Sequence, residues 1–195
     1  MTANLHDHPT NVDSHQDDEE IGEIKRRYAL IITLLSDFGS FYPAQMKGVI
    51  LSRLHVNPGK NANRITFVDI AHDIPAQDVR AGAFVLLSTA RFFPPGTIHI
   101  AVVDPGVGTA RRCLMVESGG QIFIGPDNGL LLPAARSLGR PVAYEITPHP
   151  GASSTFHGRD VFAPAAALIA AGQPPASLGS RVQPVDLDFG EAKKT

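Results

Sequence analysis

The sequence predicts an α/β fold, a three-layer sandwich around a largely parallel sheet. Three observations predict it: apolar runs rich in β-branched residues alternate with helical patterns, the first run is apolar without a break, and the runs end at polar turns. An unbroken apolar run is typical of a strand buried on both faces, as strands are in parallel sheets. Strands that alternate with helices then favour a sheet covered by helices.

The first half of the chain contains two strand–helix pairs. A strand over residues 28–35 is followed by a helix over 43–54, whose apolar residues recur at helical spacing. A second strand spans 64–70. Asp78 then opens a helix that extends to Phe93, and we expect Phe84 and Leu87 on this helix to face the sheet.

Shorter elements make up the second half. The predicted elements are a strand over 97–103, a hairpin of strands 113–117 and 121–124, a helix over 130–138, a strand over 142–146 and an alanine-rich helix over 161–171.

The ends of the chain differ from the body. Residues 1–27 carry seven acidic residues and almost no large apolar ones, which predicts a disordered tail. Three histidines in this tail (His6, His8 and His15) leave weak metal binding open, although a solvated tail is favoured. Residues 28–180 form the predicted domain, and 181–195 a truncated linker or tail.

Composition excludes several functional classes. A net charge of −2 gives no reason to expect nucleic-acid or acidic-membrane binding. The single cysteine, Cys113, excludes an intrachain disulfide and fits a reducing compartment. No apolar run approaches the ~18 residues of a membrane helix, so we expect a cytoplasmic protein.

Ligands of parallel α/β sheets bind at the carboxyl ends of the strands, and two charged turns lie there. Asp37 follows the first strand and could accept hydrogen bonds from a ribose diol, or merely cap the next turn or helix. Asp104 follows the third predicted strand, with Arg111 and Arg112 seven and eight residues later. A structural ion pair between Asp104 and one of these arginines is an equal alternative.

Two further clusters lie in loops. His157, flanked by small and polar residues, is a candidate general base, whereas Arg159 and Asp160 could simply pair with each other. Asp127 and Asn128 have the composition of a turn, but their side chains could also face a ligand.

Six short motifs, in order, resemble the S-adenosylmethionine hydrolase family, also called the SAM hydroxide adenosyltransferases, which are relatives of the fluorinases and chlorinases. The motifs are Ser-Asp-Phe-Gly (36–39), Met-Lys-Gly (46–48), Val-Asp-Ile-Ala-His (68–72), Val-Asp-Pro-Gly-Val-Gly-Thr (103–109), Pro-Asp-Asn-Gly-Leu (126–130) and Ser-Thr-Phe-His-Gly-Arg-Asp (154–160).

The resemblance implies a homotrimeric enzyme in which water attacks C5′ of S-adenosyl-L-methionine and releases adenosine and L-methionine. It assigns catalysis to Asp104, Arg111 and His157, with no cofactor and no metal. Water is the implied nucleophile because halide-using relatives do not keep this Asp and His. Besides Asp127 and Asn128, the implied substrate-binding residues are Asp37 at the ribose, Phe38, Tyr42, Gln77, Thr155 and Phe156.

The resemblance also implies a smaller C-terminal β domain, which supplies part of the pocket wall in the family. The sequence stops where this domain would begin, so we expect it to be absent from this chain. The alternative function is therefore a non-catalytic domain that binds adenosine-type ligands or self-associates.

Overall fold

The computed structural model describes residues 29–57 and 65–187, so the predicted N-terminal tail lies outside the described residues. Seven strands in this described part of the chain form one sheet in the order β2-β1-β3-β5-β4-β6-β7. The strands are β1 Leu30–Ser36, β2 Ile65–Ala71, β3 Ile98–Val102, β4 Cys113–Ser118, β5 Gln121–Pro126, β6 Val142–Ile146 and β7 Arg181–Val182.

The sheet has a parallel half and an antiparallel half. Strand β1 pairs in parallel with β2 and β3, and β3 pairs in parallel with β5. Strand β4 forms the predicted antiparallel hairpin with β5, and β6 and β7 continue antiparallel from β4. The α/β class is confirmed, with the parallel pairing confined to the half of the sheet that contains β1.

Within residues 29–57 and 65–187, four α-helices cover the two faces of the sheet. The helices are α1 Phe41–Val56, α2 Val79–Ala90, α3 Leu132–Leu138 and α4 Ala163–Ala170. One apolar core lies between the sheet and the α1/α4 pair, and a second core lies between the opposite face and the α2/α3 pair. This arrangement confirms the three-layer sandwich.

Helix α2 begins as predicted but presents a different face to the sheet. The Asp78 carboxylate accepts a hydrogen bond from the Ala81 amide at 2.9 Å, which confirms the N-cap. The prediction that Phe84 faces the sheet is wrong, because its side chain is 62% exposed. Leu86 is buried instead, since the small residue Gly82 lets this side of the helix approach the sheet closely.

The segment after α4 contains more structure than the sequence predicted. Strand β7 pairs with β6, and the following residues return to the sheet edge. Arg112 donates from Nη2 to the Gln183 carbonyl at 2.8 Å, and the Val185 amide donates to Asp127 at 2.7 Å.

Within the residues that the structure describes, no helix is long and apolar enough to cross a membrane.

Candidate active site

The candidate site lies where the carboxyl ends of β1 and β3 meet. These strands are parallel neighbours with Ser36 opposite Val102, so Asp37 and Asp104 emerge at the same sheet edge. Strand β4 runs in the opposite direction and begins at this edge, which brings Arg111 to the same place. His157 reaches it from the loop before α4.

A cleft of about 360 Å³ opens at this edge. It is within the size range of small-molecule sites. Eight of the residues that the sequence predicted line it, namely Asp37, Phe38, Tyr42, Gln77, Asp104, Thr155, Phe156 and His157. Met46, Val107 and Arg159 also line the cleft, although the sequence did not predict them as substrate-binding residues.

Asp104, Arg111 and His157 form one hydrogen-bonded group, which we call the Asp–Arg–His cluster. Arg111 Nε donates to both Asp104 oxygens at 3.0 Å, and Nη2 makes a further contact with the same carboxylate. Nη2 also donates to His157 Nδ1 at 2.8 Å. The Asp104 and Arg111 side chains are 4% and 9% exposed, so the ion pair is shielded from water.

Arg111 lies behind the cleft. Its Nη1 donates to the Arg112 carbonyl at 3.2 Å and contacts Cys113 Sγ at 3.0 Å. A guanidinium has five N–H groups, and these contacts with Asp104, His157, Arg112 and Cys113 use all of them. Arg111 therefore acts on the cleft through its positive charge and through His157.

The bond from Arg111 determines which nitrogen of His157 carries the proton. A guanidinium only donates, so Nδ1 accepts and the neutral ring carries its proton on Nε2. Burial and then the charge of Arg111 lower the pKa of His157 below 6.5, against opposing effects of Asp104 and Asp160. The neutral ring can thus donate a hydrogen bond from Nε2.

The two groups behind His157 have fixed charge states near neutral pH. Burial alone lowers the pKa of Arg111, but its bonds and attraction to Asp104, with a contribution from Cys113, raise it overall. Burial raises the pKa of the Cys113 thiol and outweighs the opposing effect of Arg111. Arg111 is therefore a cation beside a neutral thiol.

Asp37 faces the cleft from the turn after β1. Its Oδ2 accepts the backbone N–H of Gln77 at 2.7 Å, whereas the N-cap position of α1 belongs to Ser40. Gln77 has φ 64°, a left-handed conformation that is costly for a residue with a side chain. The alternative that Asp37 caps the helix is wrong, and a strained backbone directs an N–H group at it instead.

Aromatic rings form the outer wall of the cleft. Tyr42 lies 5.9 Å from Phe38 and 5.8 Å from Phe156 between ring centroids. The Arg159 guanidinium lies 4.9 Å from the centre of the Phe156 ring while it pairs with Asp160, as the sequence had left open. Such a wall suits a flat heteroaromatic ligand.

Asp127 and Asn128 lie outside the cleft lining. The Asp127 side chain is 2% exposed and pairs with Arg112 at 2.5 Å, and Asn128 donates to the Val103 carbonyl at 2.9 Å. Of the two possible partners for Asp104, the structure thus selects Arg111 and assigns Arg112 to Asp127.

Comparison with known proteins identifies a family. The family profile described as the SAM hydroxide adenosyltransferase N-terminal domain matches residues 32–179. An (R)-S-adenosyl-L-methionine hydrolase from Salinispora arenicola is 52% identical over 123 residues, which cover 60% of this chain and 46% of that protein. A protein of the same name from Thermus thermophilus is 43% identical over 165 residues, covering 77% of this chain and 61% of that protein.

The chain is also similar to more distant relatives and to a solved structure. A fluorinase from an Actinoplanes species is 31% identical over 182 residues, which cover 76% of this chain and 57% of the fluorinase. The solved structure of an uncharacterized conserved protein from Thermotoga maritima superposes with a TM-score of 0.71 at 34% identity, covering 82% of this chain and 62% of that one. The chain spans about half the length of the curated relatives it matches.

Proposed function

The chain belongs to the SAM hydroxide adenosyltransferase family, through that family's N-terminal domain, and from this premise we propose that it hydrolyses S-adenosyl-L-methionine to adenosine and L-methionine. One observation carries the proposal: Asp104 and His157 line the same cleft as Asp37, and Arg111 bonds to both of these cluster members from behind the cleft. A group that activates water and a group that binds ribose are then available to one substrate.

The reaction joins the oxygen of water to C5′ of the ribose. The C5′–S bond breaks as the new bond forms, and its electron pair remains on sulfur, which becomes the neutral thioether of methionine. A sulfonium leaves readily, so the barrier lies in the nucleophile, because bulk water has a pKa of about 15.7. The enzyme must stabilise hydroxide character on the attacking oxygen.

The cluster supplies that stabilisation in two ways. The buried positive charge of Arg111 favours negative charge on the attacking oxygen, since its side chain is only 9% exposed. His157 donates a hydrogen bond from Nε2 to that oxygen and so orients it. While Nδ1 accepts from Arg111, His157 does not take the proton, which passes to solvent through the open cleft.

Asp37 and the aromatic wall would hold the nucleoside. Gln77 donates to Oδ2, and among the described residues no hydrogen bond reaches Asp37 Oδ1, so Oδ1 can accept from the ribose hydroxyls. Tyr42 and Phe156, each 38% exposed, offer apolar surface to the adenine. Both contacts are made by residues of this chain alone.

A product assay in labelled water tests the proposal. Purified protein is incubated with S-adenosyl-L-methionine in H₂¹⁸O, and adenosine and methionine are quantified by mass spectrometry. We expect equimolar products with ¹⁸O in adenosine only. His157→Ala and Arg111→Lys should each reduce kcat by about 100-fold or more, whereas Arg91→Lys on the exposed surface should not.

The possible outcomes are distinct. Turnover that survives both cluster variants, or label in methionine, would refute the mechanism. Adenosine binding without turnover by the wild type would support the second candidate, a domain that binds adenosine-type ligands. The exposure of Tyr42 and Phe156 favours that candidate, because the wall they form is open to solvent.

We also propose a homotrimer in the cytoplasm. Apolar side chains on the surface support self-association, among them Phe41, Phe84 and Phe92 at 69%, 62% and 74% exposure. The unpaired Cys113 is compatible with a reducing compartment. Sedimentation velocity that finds only monomer at tens of micromolar would contradict the trimer.

A further inference from the structure

A network of four polar side chains lies directly beneath the turn that carries Asp37. Ser36 Oγ lies 2.7 Å from His72 Nδ1, His72 Nε2 lies 3.0 Å from Asp69 Oδ1, and Lys47 Nζ lies 2.6 Å from Asp69 Oδ2. These residues come from the end of β1, the end of β2 with its following turn, and α1. None of them lines the cleft.

The direction of every hydrogen bond in the network follows from its acidic member. The Asp69 carboxylate accepts from Lys47 and from His72 Nε2, so the neutral ring of His72 has its lone pair on Nδ1. In that neutral form of His72, the Ser36 hydroxyl donates to Nδ1. Partial burial raises the pKa of Asp69, but the bonds from Lys47 and His72 lower it overall, so Asp69 stays ionised.

The order serine, histidine, aspartate is that of a hydrolytic triad, but Ser36 is not a nucleophile here. Ser36 is 2% exposed and is not among the residues that line the cleft, so a substrate carbonyl in the cleft could not reach its hydroxyl. A triad nucleophile must lie within reach of the substrate. The network needs a different explanation.

Three links join the turn that carries Asp37 to the network and to the turn after β2. Ser36 precedes Asp37 in the chain, the Gly39 amide donates to the His72 carbonyl at 2.9 Å, and the Gln77 amide donates to Asp37 Oδ2 at 2.7 Å. The turn 36–39 and the turn 71–77 are thus held together by the network on one side and by Asp37 on the other.

We propose that Ser36, His72, Asp69 and Lys47 are positioning residues that orient the Asp37 carboxylate for the two hydroxyls of a ribose. The inference rests on the proposed function and deepens it. A carboxylate that binds a diol must be held in one orientation, and a satisfied hydrogen-bond network beneath it supplies that rigidity. The network contributes to binding through Asp37 only.

Calorimetry with adenosine and 2′,3′-dideoxyadenosine tests the proposal. The ratio of their Kd values isolates the diol contact, which we expect to favour adenosine by about 10- to 100-fold in the wild type. Asp37→Ala should bring this ratio close to one. Ser36→Ala and His72→Phe should lower it by about tenfold, while the Kd for dideoxyadenosine changes less than about twofold.

Strand β1 offers a matched control. Thr33 Oγ1 also bonds a histidine Nδ1 at 2.7 Å, that of His99, in the buried part of the same strand. Thr33→Val removes an equivalent bond far from Asp37 and should keep the wild-type ratio. If Ser36→Ala and His72→Phe keep that ratio, or weaken both nucleosides equally, the positioning role is refuted.

Hydrogen exchange separates this proposal from the proposed function. If the wild type does not discriminate between the two nucleosides, Asp37 does not bind the ribose hydroxyls. Hydrogen exchange of the Gly39 and Gln77 amides then shows whether the network still holds the turn that carries Asp37 in place. Faster exchange of both amides in Ser36→Ala and His72→Phe, but not in Thr33→Val, supports the positioning network. Unchanged exchange refutes it.

Discussion

All five N–H groups of Arg111 donate hydrogen bonds to other residues of the protein, so none is left to donate to a ligand in the cleft. Its charge cannot move toward a ligand, because Asp104, His157, Cys113 and a backbone carbonyl hold it in place. Such preorganised charge does not need to reorient during the reaction. In the proposed reaction, His157 is consequently the member of the cluster that would contact the attacking water.

Under the proposed function, protonation of His157 should abolish hydrolysis in acid. An imidazolium has a proton on Nδ1, which would face the N–H of Arg111 and break the bond between them. Because the pKa of His157 lies below 6.5, we expect kcat/KM to be flat from about pH 7 to 9 and to fall only at lower pH.

The pH profile of S-adenosyl-L-methionine hydrolysis measures this effect. His149→Gln, which changes an exposed histidine outside the cleft lining, should retain the same profile. If kcat/KM falls with a midpoint above pH 6.5, the group that titrates is not a His157 ring with a lowered pKa, and the prediction is wrong.

At the level of elements, the ends of strands and helices carry the site. Asp37 and Asp104 follow parallel strands, and His157 immediately precedes a π-helical turn, Gly158–Phe162, that leads into α4. Single π-helical turns occur frequently at functional sites. At Gly158 an added Cβ would lie 3.2 Å from Met46 Sδ, so the turn packs closely on α1.

The N-cap of α2 should contribute measurably to stability. Asp78→Ala removes the acceptor of the Ala81 amide, and we expect the free energy of unfolding to fall by about 1 kcal/mol. Denaturant unfolding gives this value. Asp73→Ala removes the same charge from an exposed position five residues earlier, and a loss as large as that of Asp78→Ala would contradict the capping role.

The segment after β7 should depend on Asp127. Asp127→Asn weakens its ion pair with Arg112 and its bond to Val185, so we expect a loss of about 2 kcal/mol and faster exchange of the Val185 amide. Asp186→Asn affects an exposed pair with Arg136 and a bond from the Leu187 amide, and it should cost clearly less than Asp127→Asn. Equal effects of the two substitutions would contradict this assignment.

At the scale of the whole molecule, His99 is a buried titratable residue beside the second core, and its ionisation opposes folding. His99 is 0% exposed and stacks on Phe123 at 4.9 Å. Its Nε2 donates to Gln121 Oε1 at 2.9 Å, and its Nδ1 accepts from Thr33 at 2.7 Å. Burial lowers the pKa of His99 to about 4, with Gln121 opposing the effect.

Acid should therefore destabilise the whole fold. The unfolded chain binds a proton at His99 near pH 6.5, whereas the folded chain binds it only near pH 4. The contribution of neutral His99 to the free energy of unfolding is therefore fully present above pH 6.5 and is lost as the pH falls to about 4. The loss corresponds to about 3 kcal/mol. Unfolding curves at pH 7 and pH 4 measure it.

An exposed histidine provides the control for this prediction. His55→Gln, on the exposed side of α1, should not change the loss of unfolding free energy between pH 7 and pH 4. An NMR titration of the His99 ring isolates its contribution from those of the carboxylates. A midpoint above pH 6 would contradict the prediction.

Much of the fold could be read from local patterns. Apolar runs located the strands, and Asp78 located the start of α2, because burial and capping leave short-range signals. The sequence did not predict which face of α2 packs on the sheet, because this helix has apolar residues around most of its circumference. The close approach at Gly82 decided the orientation of the helix. Strand β7 was missed because two residues paired at a sheet edge leave almost no pattern.

The sequence by itself determined the α/β class, the family and the residue types of the site, since buried strands and ordered motifs are properties of local sequence. Only the tertiary structure decided the pairing of those residues. It joined Asp104 to Arg111 and Arg112 to Asp127, and it placed the proton of neutral His157 on Nε2. These choices depend on distances between side chains that are far apart in the chain, which spacing along the sequence does not specify.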